Sequence, residues 1–229
     1  MKIGVLGATG PAGGGLSARL ASIGCDVITG SRDPARAEAA VTKLRDQWGE
    51  RVSGLEAGGN ADAASADLVV VATQWEAAVP TAAQHAEALS GKVVIAMASG
   101  LAKHGREFHP LLPEEGSLST AMQAAVPAAR VVAALQHIPA AAFGDLDHPI
   151  AGDVIVCGDD DAARATVLDL VSQIPNLRGF DTGSLANAVG IEAFAAVLLT
   201  INLRHRGRAS LRLVGVDPAD QDDRRAESR

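Results

Sequence analysis

The chain has 229 residues, 48% of them hydrophobic, which is enough for one sizeable core or a main domain with a smaller lobe. Its formal net charge of -7 argues against a nucleic-acid partner. It also lacks the basic amphipathic segment of a membrane-surface binder.

The chain opens Met1-Lys2-Ile3 and runs directly into an apolar strand over 3–6, with no signal peptide, so a cytoplasmic location is expected. A glycine-rich turn follows, Gly7-Ala8-Thr9-Gly10-Pro11-Ala12-Gly13, and helical spacing resumes over 16–23. Residues 26–30 read as a second strand. Asp33-Pro34 then signals the start of a charged amphipathic helix, Pro34–Trp48. Continuous apolar runs at 68–72, 93–98 and 131–135 read as strands buried on both faces, as in a parallel sheet. The stretch between the last two, 100–116, reads as a loop carrying His104 and His109 around Gly105. Beyond it come a strand at 153–157, a helix from about 160 to 173, a short strand at 178–181 and an apolar helix over 185–203. Asn187, Glu192 and Asn202 interrupt that helix, so it is read as a core or interface helix rather than a membrane span.

Strands alternating with helices imply an α/β fold, a Rossmann-type doubly wound and mainly parallel sheet with a small C-terminal α/β lobe. The expected divisions are 1–150 for the nucleotide-binding domain, 151–216 for the lobe and 217–229 for a polar tail.

The glycine turn has the strand-turn-helix context that a pyrophosphate needs. Gly7 permits the tight turn, Gly10 close backbone approach, and Gly13 close helix-on-strand packing. The helix N-terminus beyond presents free N–H groups and partial positive charge. The second strand then ends Gly30-Ser31-Arg32, with Arg36 one turn into the next helix. NAD-selective folds place a carboxylate at that strand end; here a hydroxyl and two guanidiniums favour a 2′-phosphate, hence NADP.

Other chemistries are excluded or unsupported. There is no Tyr in the chain, which removes the short-chain dehydrogenase mechanism. Cys25 and Cys157 lie far apart without companion ligands, so both read as reduced core thiols and no metal is expected. A chain poor in acid–base clusters suits hydride transfer, where the protein stacks two rings and excludes water.

Several motifs together resemble one family. The opening GATGPAGGGLSARLASIGCDVITGSR resembles the N-terminus of NADPH-dependent oxidoreductases of the deazaflavin coenzyme F-420. Further matches follow in order: Gln74-Trp75-Glu76, Gln136-His137-Ile138-Pro139-Ala140-Ala141, Val156-Cys157-Gly158-Asp159-Asp160 and Asp181-Thr182-Gly183-Ser184-Leu185-Ala186-Asn187. The resemblance implies reversible hydride transfer between NADP(H) and carbon 5 of the deazaflavin, by a homodimer. It implies that Gly7, Thr9, Gly10, Pro11 and Ala12 hold the pyrophosphate, and Ser31, Arg32 and Arg36 the 2′-phosphate. Thr73, Gln74, Trp75, Ala98, Ser99, Ile138, Pro139 and Ala140 would border the two rings, with His137 or Gln136 bonding the deazaflavin. Gln74 and Gln136 depart from the family's usual residues, Pro at the first position and His or Asn at the second. Two other functions share such an N-terminal domain: an NADP-dependent reductase of another small substrate, and a non-catalytic NADP-sensing protein.

Overall fold

The computed structural model describes residues 1–218. Most of the 217–229 tail therefore lies outside the described residues.

Strand β1 (Lys2–Leu6) enters the glycine turn and helix α1 (Pro11–Ser22) leaves it. Strand β2 (Asp26–Ser31) leads to α2 (Pro34–Trp48), whose N-terminus is capped by Asp33 accepting from the Ala35 N–H at 3.0 Å. Strand β3 (Leu55–Gly59) and α3 (Asn60–Ala64) precede β4 (Leu68–Val71), then α4 (Trp75–Gln84) and α5 (Ala86–Leu89). Strand β5 (Val93–Ala96) is followed by a hairpin of β6 (Leu101–His104) and β7 (Glu107–Pro110), then α6 (Leu118–Ala125), β8 (Arg130–Ala133) and α7 (Ala140–Phe143). The described chain ends through β9 (Gly152–Gly158), α8 (Asp161–Ser172), β10 (Leu177–Asp181) and α9 (Ala188–His205).

Eight strands form one sheet in the order β10-β9-β8-β5-β4-β1-β2-β3. The run from β3 to β8 is parallel throughout. Strand β9 pairs with β8 antiparallel, and β10 pairs with β9 parallel. Strands β9 and β10 thus extend the parallel sheet rather than forming one of their own. The central strands are buried along their full length, which is why they read as unbroken apolar runs. On one face Leu16 and Leu20 of α1 are sealed against Ile3, Val5 and Val70, each such side chain contributing about 2 kcal/mol.

The region read as a loop at 100–116 contains the β6–β7 hairpin instead, with Ala102 opposite His109 and His104 opposite Glu107. Turn residue Gly105 has φ +59, a conformation glycine tolerates. The hairpin packs against α9, where the Phe108 N–H donates to Thr200 Oγ1 at 2.8 Å. The same α9 sends a buried carboxylate, Glu192, to the N-terminus of α6. It accepts from the N–H groups of Leu118 and Ser119 at 2.8 and 3.0 Å and from the Ser119 hydroxyl at 2.6 Å. Segment Leu185–His205 is long and apolar enough to cross a membrane, and in the fold this carboxylate ties it to the helical layer.

Candidate functional site

In a parallel sheet all strands end at one edge, and the strand order reverses between β1 and β4. Open α/β sheets bind their ligands at the strand ends beside such a switch point. The expected site residues map to that edge in sequence order: Gly7 to Ala12 after β1, Ser31 and Arg32 at the end of β2, Thr73 to Trp75 after β4, Ala98 and Ser99 after β5, and Gln136 to Ala140 after β8.

The glycine turn is built for a close-lying ligand. Gly7 has φ +73, and a Cβ there would lie 2.4 Å from Thr73 Cγ2. The β1 and β4 turns therefore touch. At Gly13 a Cβ would come 2.8 Å from Ala8 Cα, so α1 can pack on the turn only with glycine there. A Cβ on Gly10, by contrast, would meet nothing within 4 Å. That is the side from which a pyrophosphate can approach. The turn is anchored by the Gly7 N–H donating to Asn60 Oδ1 at 3.2 Å and the Ala8 N–H donating to the Gly30 carbonyl at 2.9 Å. Asn60 was not singled out in the sequence; a lone Asn after a short strand carries no motif. Among the described residues no side chain caps α1, which leaves its first N–H groups and its positive pole uncapped at that switch point.

At the end of β2, Ser31 is buried and its Oγ accepts from the Asp33 N–H at 3.2 Å. Arg32 and Arg36 are exposed. Asp33 lies between them, but its carboxylate is engaged in capping α2. The end of β2 thus offers two exposed cations and a hydroxyl, the donor set that suits a phosphate dianion.

Past the ends of β5 and β8, the described residues leave some polar atoms without hydrogen-bond partners. Ser99 Oγ, both amide atoms of Gln136 and Nδ1 of His137 are buried with no hydrogen-bond partner among the described residues. They lie past the ends of neighbouring strands β5 and β8. Buried polar groups are almost always satisfied, by protein, water or ligand. Leu135, at the head of the turn, has φ +73. A left-handed leucine costs about 1–2 kcal/mol, and strain of this kind at a strand end aims the following side chains.

The two bonding candidates differ in their surroundings. His137 is 3% exposed, and its Nε2 donates to the Asp153 carbonyl of β9 at 2.7 Å. That bond fixes the Nε2–H tautomer, leaving Nδ1 as an acceptor. Burial pushes its pKa below the ordinary imidazole value, so the ring is neutral. Gln136 has neither atom of its amide committed. Gln74 is exposed, and Trp75 is partly buried at the first turn of α4. His104 and His109 stack across the hairpin with ring centres 4.7 Å apart, both exposed.

Comparison with known proteins gives the family. Residues 2–100 match the family model described as NADP oxidoreductase, coenzyme F-420-dependent. The chain is 34% identical over 218 residues to the F-420-dependent NADP reductase of Methanocaldococcus jannaschii, covering 92% of this chain and 96% of that protein. This chain belongs to the F-420-dependent NADP oxidoreductase family. Identity to the F-420-dependent NADP reductase of Methanothermobacter thermautotrophicus is 32% over 222 residues, covering 94% of this chain and 96% of that protein. Among solved structures, a protein of Arthrobacter sp. FB24 provisionally described as an F-420-dependent NADP reductase superposes with a TM-score of 0.80 at 29% identity. It matches 93% of this chain and 99% of its own. The family relationship thus extends past the matched N-terminal segment into β8, β9 and α9.

Proposed function

We propose that this protein transfers a hydride reversibly between NADP(H) and the deazaflavin coenzyme F-420. The observation that carries the reading is the pairing of two unlike half-sites along one sheet edge. One is a glycine turn with a cationic rim; the other is a group of orphaned polar atoms, Ser99, Gln136 and His137. Family membership supports the same reading.

In this reading the α1 N-terminus and Gly10 take the pyrophosphate, with Thr9, Pro11 and Ala12 beside it. Ser31, Arg32 and Arg36 take the 2′-phosphate. Thr73, Gln74, Trp75, Ala98 and Ser99 border the nicotinamide, and Ile138, Pro139 and Ala140 the deazaflavin. The two coenzymes supply the redox chemistry; the chain binds, aligns and keeps water out. Gln136 offers both a donor and an acceptor to the polar edge of the deazaflavin and steadies the charge that arrives with the hydride. His137, held by the Asp153 carbonyl, locks the turn and offers Nδ1 as an acceptor. The test mixes protein, NADPH and oxidised deazaflavin. Bleaching of the deazaflavin band is expected, and none at any pH between about 5 and 9, where NADPH binds, would refute the reading.

The assembly is read as a homodimer. Val189, Val197 and Ile201 are exposed along α9 at helical spacing, and Leu111 and Leu112 are exposed beyond the hairpin that packs on that helix. A second copy covering this apolar face accounts for it. Light scattering should give twice the chain mass, and Val197→Glu should give the monomer.

A further inference from the structure

Arg19 is a buried arginine whose guanidinium is spent on backbone. It lies on α1 and is 4% exposed. Its Nε donates to the Phe143 carbonyl at 3.3 Å, and its Nη2 to the carbonyls of Ala142 at 3.0 Å and His148 at 3.1 Å. The Asp145 carbonyl accepts from the same nitrogen. One side chain therefore gathers the end of α7 and the five residues after it. Burying a guanidinium costs several kcal/mol unless its donors are satisfied, and here the donors converge on one short segment.

The surrounding contacts serve the same segment. Arg51 bonds the Asp147 carboxylate at 2.8 Å and also the Leu146 carbonyl. The Asp145 side chain accepts from Arg208 at 2.8 Å and lies 3.0 Å from His148 Nδ1. Helices α1 and α7 meet backbone to backbone, since a Cβ on Gly15 would stand 2.8 Å from the Gly144 nitrogen and 3.2 Å from the Ala140 carbonyl.

Residues 142–148 directly continue Ile138-Pro139-Ala140, and the N-terminus of α1 is the pyrophosphate end. We infer that Arg19 is a positioning residue for hydride transfer: it registers the segment bordering the acceptor ring on the same helix that anchors the donor coenzyme. This rests on the function proposed above. Hydride transfer demands reacting carbons within a narrow range of distance, and a displacement of about 1 Å is worth about 100-fold in rate.

The test uses Arg19→Ala, Arg19→Lys and Gly15→Ala, each measured for NADPH affinity, thermal midpoint, and KM and kcat with the deazaflavin. Arg19→Ala should keep NADPH affinity within about twofold while kcat/KM for the deazaflavin falls at least about tenfold. Arg19→Lys, which keeps the charge and some donors, should recover part of the loss. Gly15→Ala retains Arg19 but wedges α1 from α7; it should shift the deazaflavin parameters in the same direction. Wild-type KM and kcat in Arg19→Ala would overturn the inference. So would a loss of NADPH affinity in proportion to activity. If Arg19→Ala does not fold, wild-type turnover in Gly15→Ala overturns it. If the wild-type protein itself fails to reduce the deazaflavin, the proposed function falls, and amide exchange over 140–148 decides the clamp. Faster exchange in Arg19→Ala with NADPH binding intact supports it; unchanged exchange refutes it.

Discussion

Replacing Arg32 with alanine separates the two dinucleotides. Arg32 and Arg36 are exposed, and between them Asp33 is turned to the helix cap. A charge-assisted hydrogen bond to phosphate is worth about 1.5–3 kcal/mol, and exposure places this one at the low end of that range. With Arg36 left to hold the same phosphate, Arg32→Ala should weaken NADPH about tenfold, and the double alanine variant about 100-fold, at about 1.4 kcal/mol per factor of ten. NADH lacks the 2′-phosphate, so its affinity should change by less than about twofold. The assay is titration of nicotinamide fluorescence for both dinucleotides at low and moderate salt. Because the contact is exposed, the gap between NADPH and NADH should narrow as ionic strength rises and the Debye length shrinks below about 10 Å. Equal losses for NADPH and NADH would refute the assignment, as would a preference for NADPH insensitive to both arginines.

Other consequences follow from the same geometry. Gly7→Ala places a Cβ 2.4 Å from Thr73 Cγ2 at φ +73, so it should destabilise by about 2 kcal/mol or more, seen as a lower denaturant midpoint, and should weaken NADPH as well. Gln136→Ala should raise KM for the deazaflavin about tenfold without moving the Kd for NADPH, since its two amide atoms have no partner among the described residues. His137, neutral in the fold because burial depresses its pKa, favours the unfolded state once the unfolded imidazole protonates. Its share of stability is thus present above the ordinary imidazole pKa of about 6.5 and falls below it; in His137→Gln, the acid limb of stability over that range should flatten, and an unchanged limb would contradict it.

Much of the fold was legible because its strands are buried on both faces. Val69 to Val71 and Val93 to Ala96 have no solvent side, so an uninterrupted apolar run can only be central. Asp33 marked a helix start because its carboxylate caps a free N–H group, and it does so. Elements without such signals stayed hidden. Strand β3 is an edge strand, Leu-Glu-Ala-Gly-Gly, with only Leu55 buried. The first turn of α1 contains Gly13, Gly14 and Gly15, poor helix formers required by close approach. The β6–β7 hairpin is held by Thr200, far along the chain, which no local pattern reveals.

At the site, the glycine turn and the Ser31-Arg32-Arg36 rim could be read locally because both follow directly from strand ends. What local reading could not supply was the difference in hydrogen bonding between Gln136 and His137. It depends on β9 running antiparallel to β8, which brings the Asp153 carbonyl to the imidazole. Asn60 and Arg19 escaped for the same reason: their partners lie 53 and more than 120 residues away.

Direct transfer between the two coenzymes is tested most squarely by isotope. NADPH carrying deuterium at both positions of its nicotinamide C4 is mixed with stoichiometric protein and oxidised deazaflavin in ordinary water, and the product is weighed by mass spectrometry. The reduced deazaflavin should gain one deuterium at carbon 5, with loss of one from the dinucleotide. Reduced deazaflavin without label, or NADPH left intact beside unreduced deazaflavin, would contradict it.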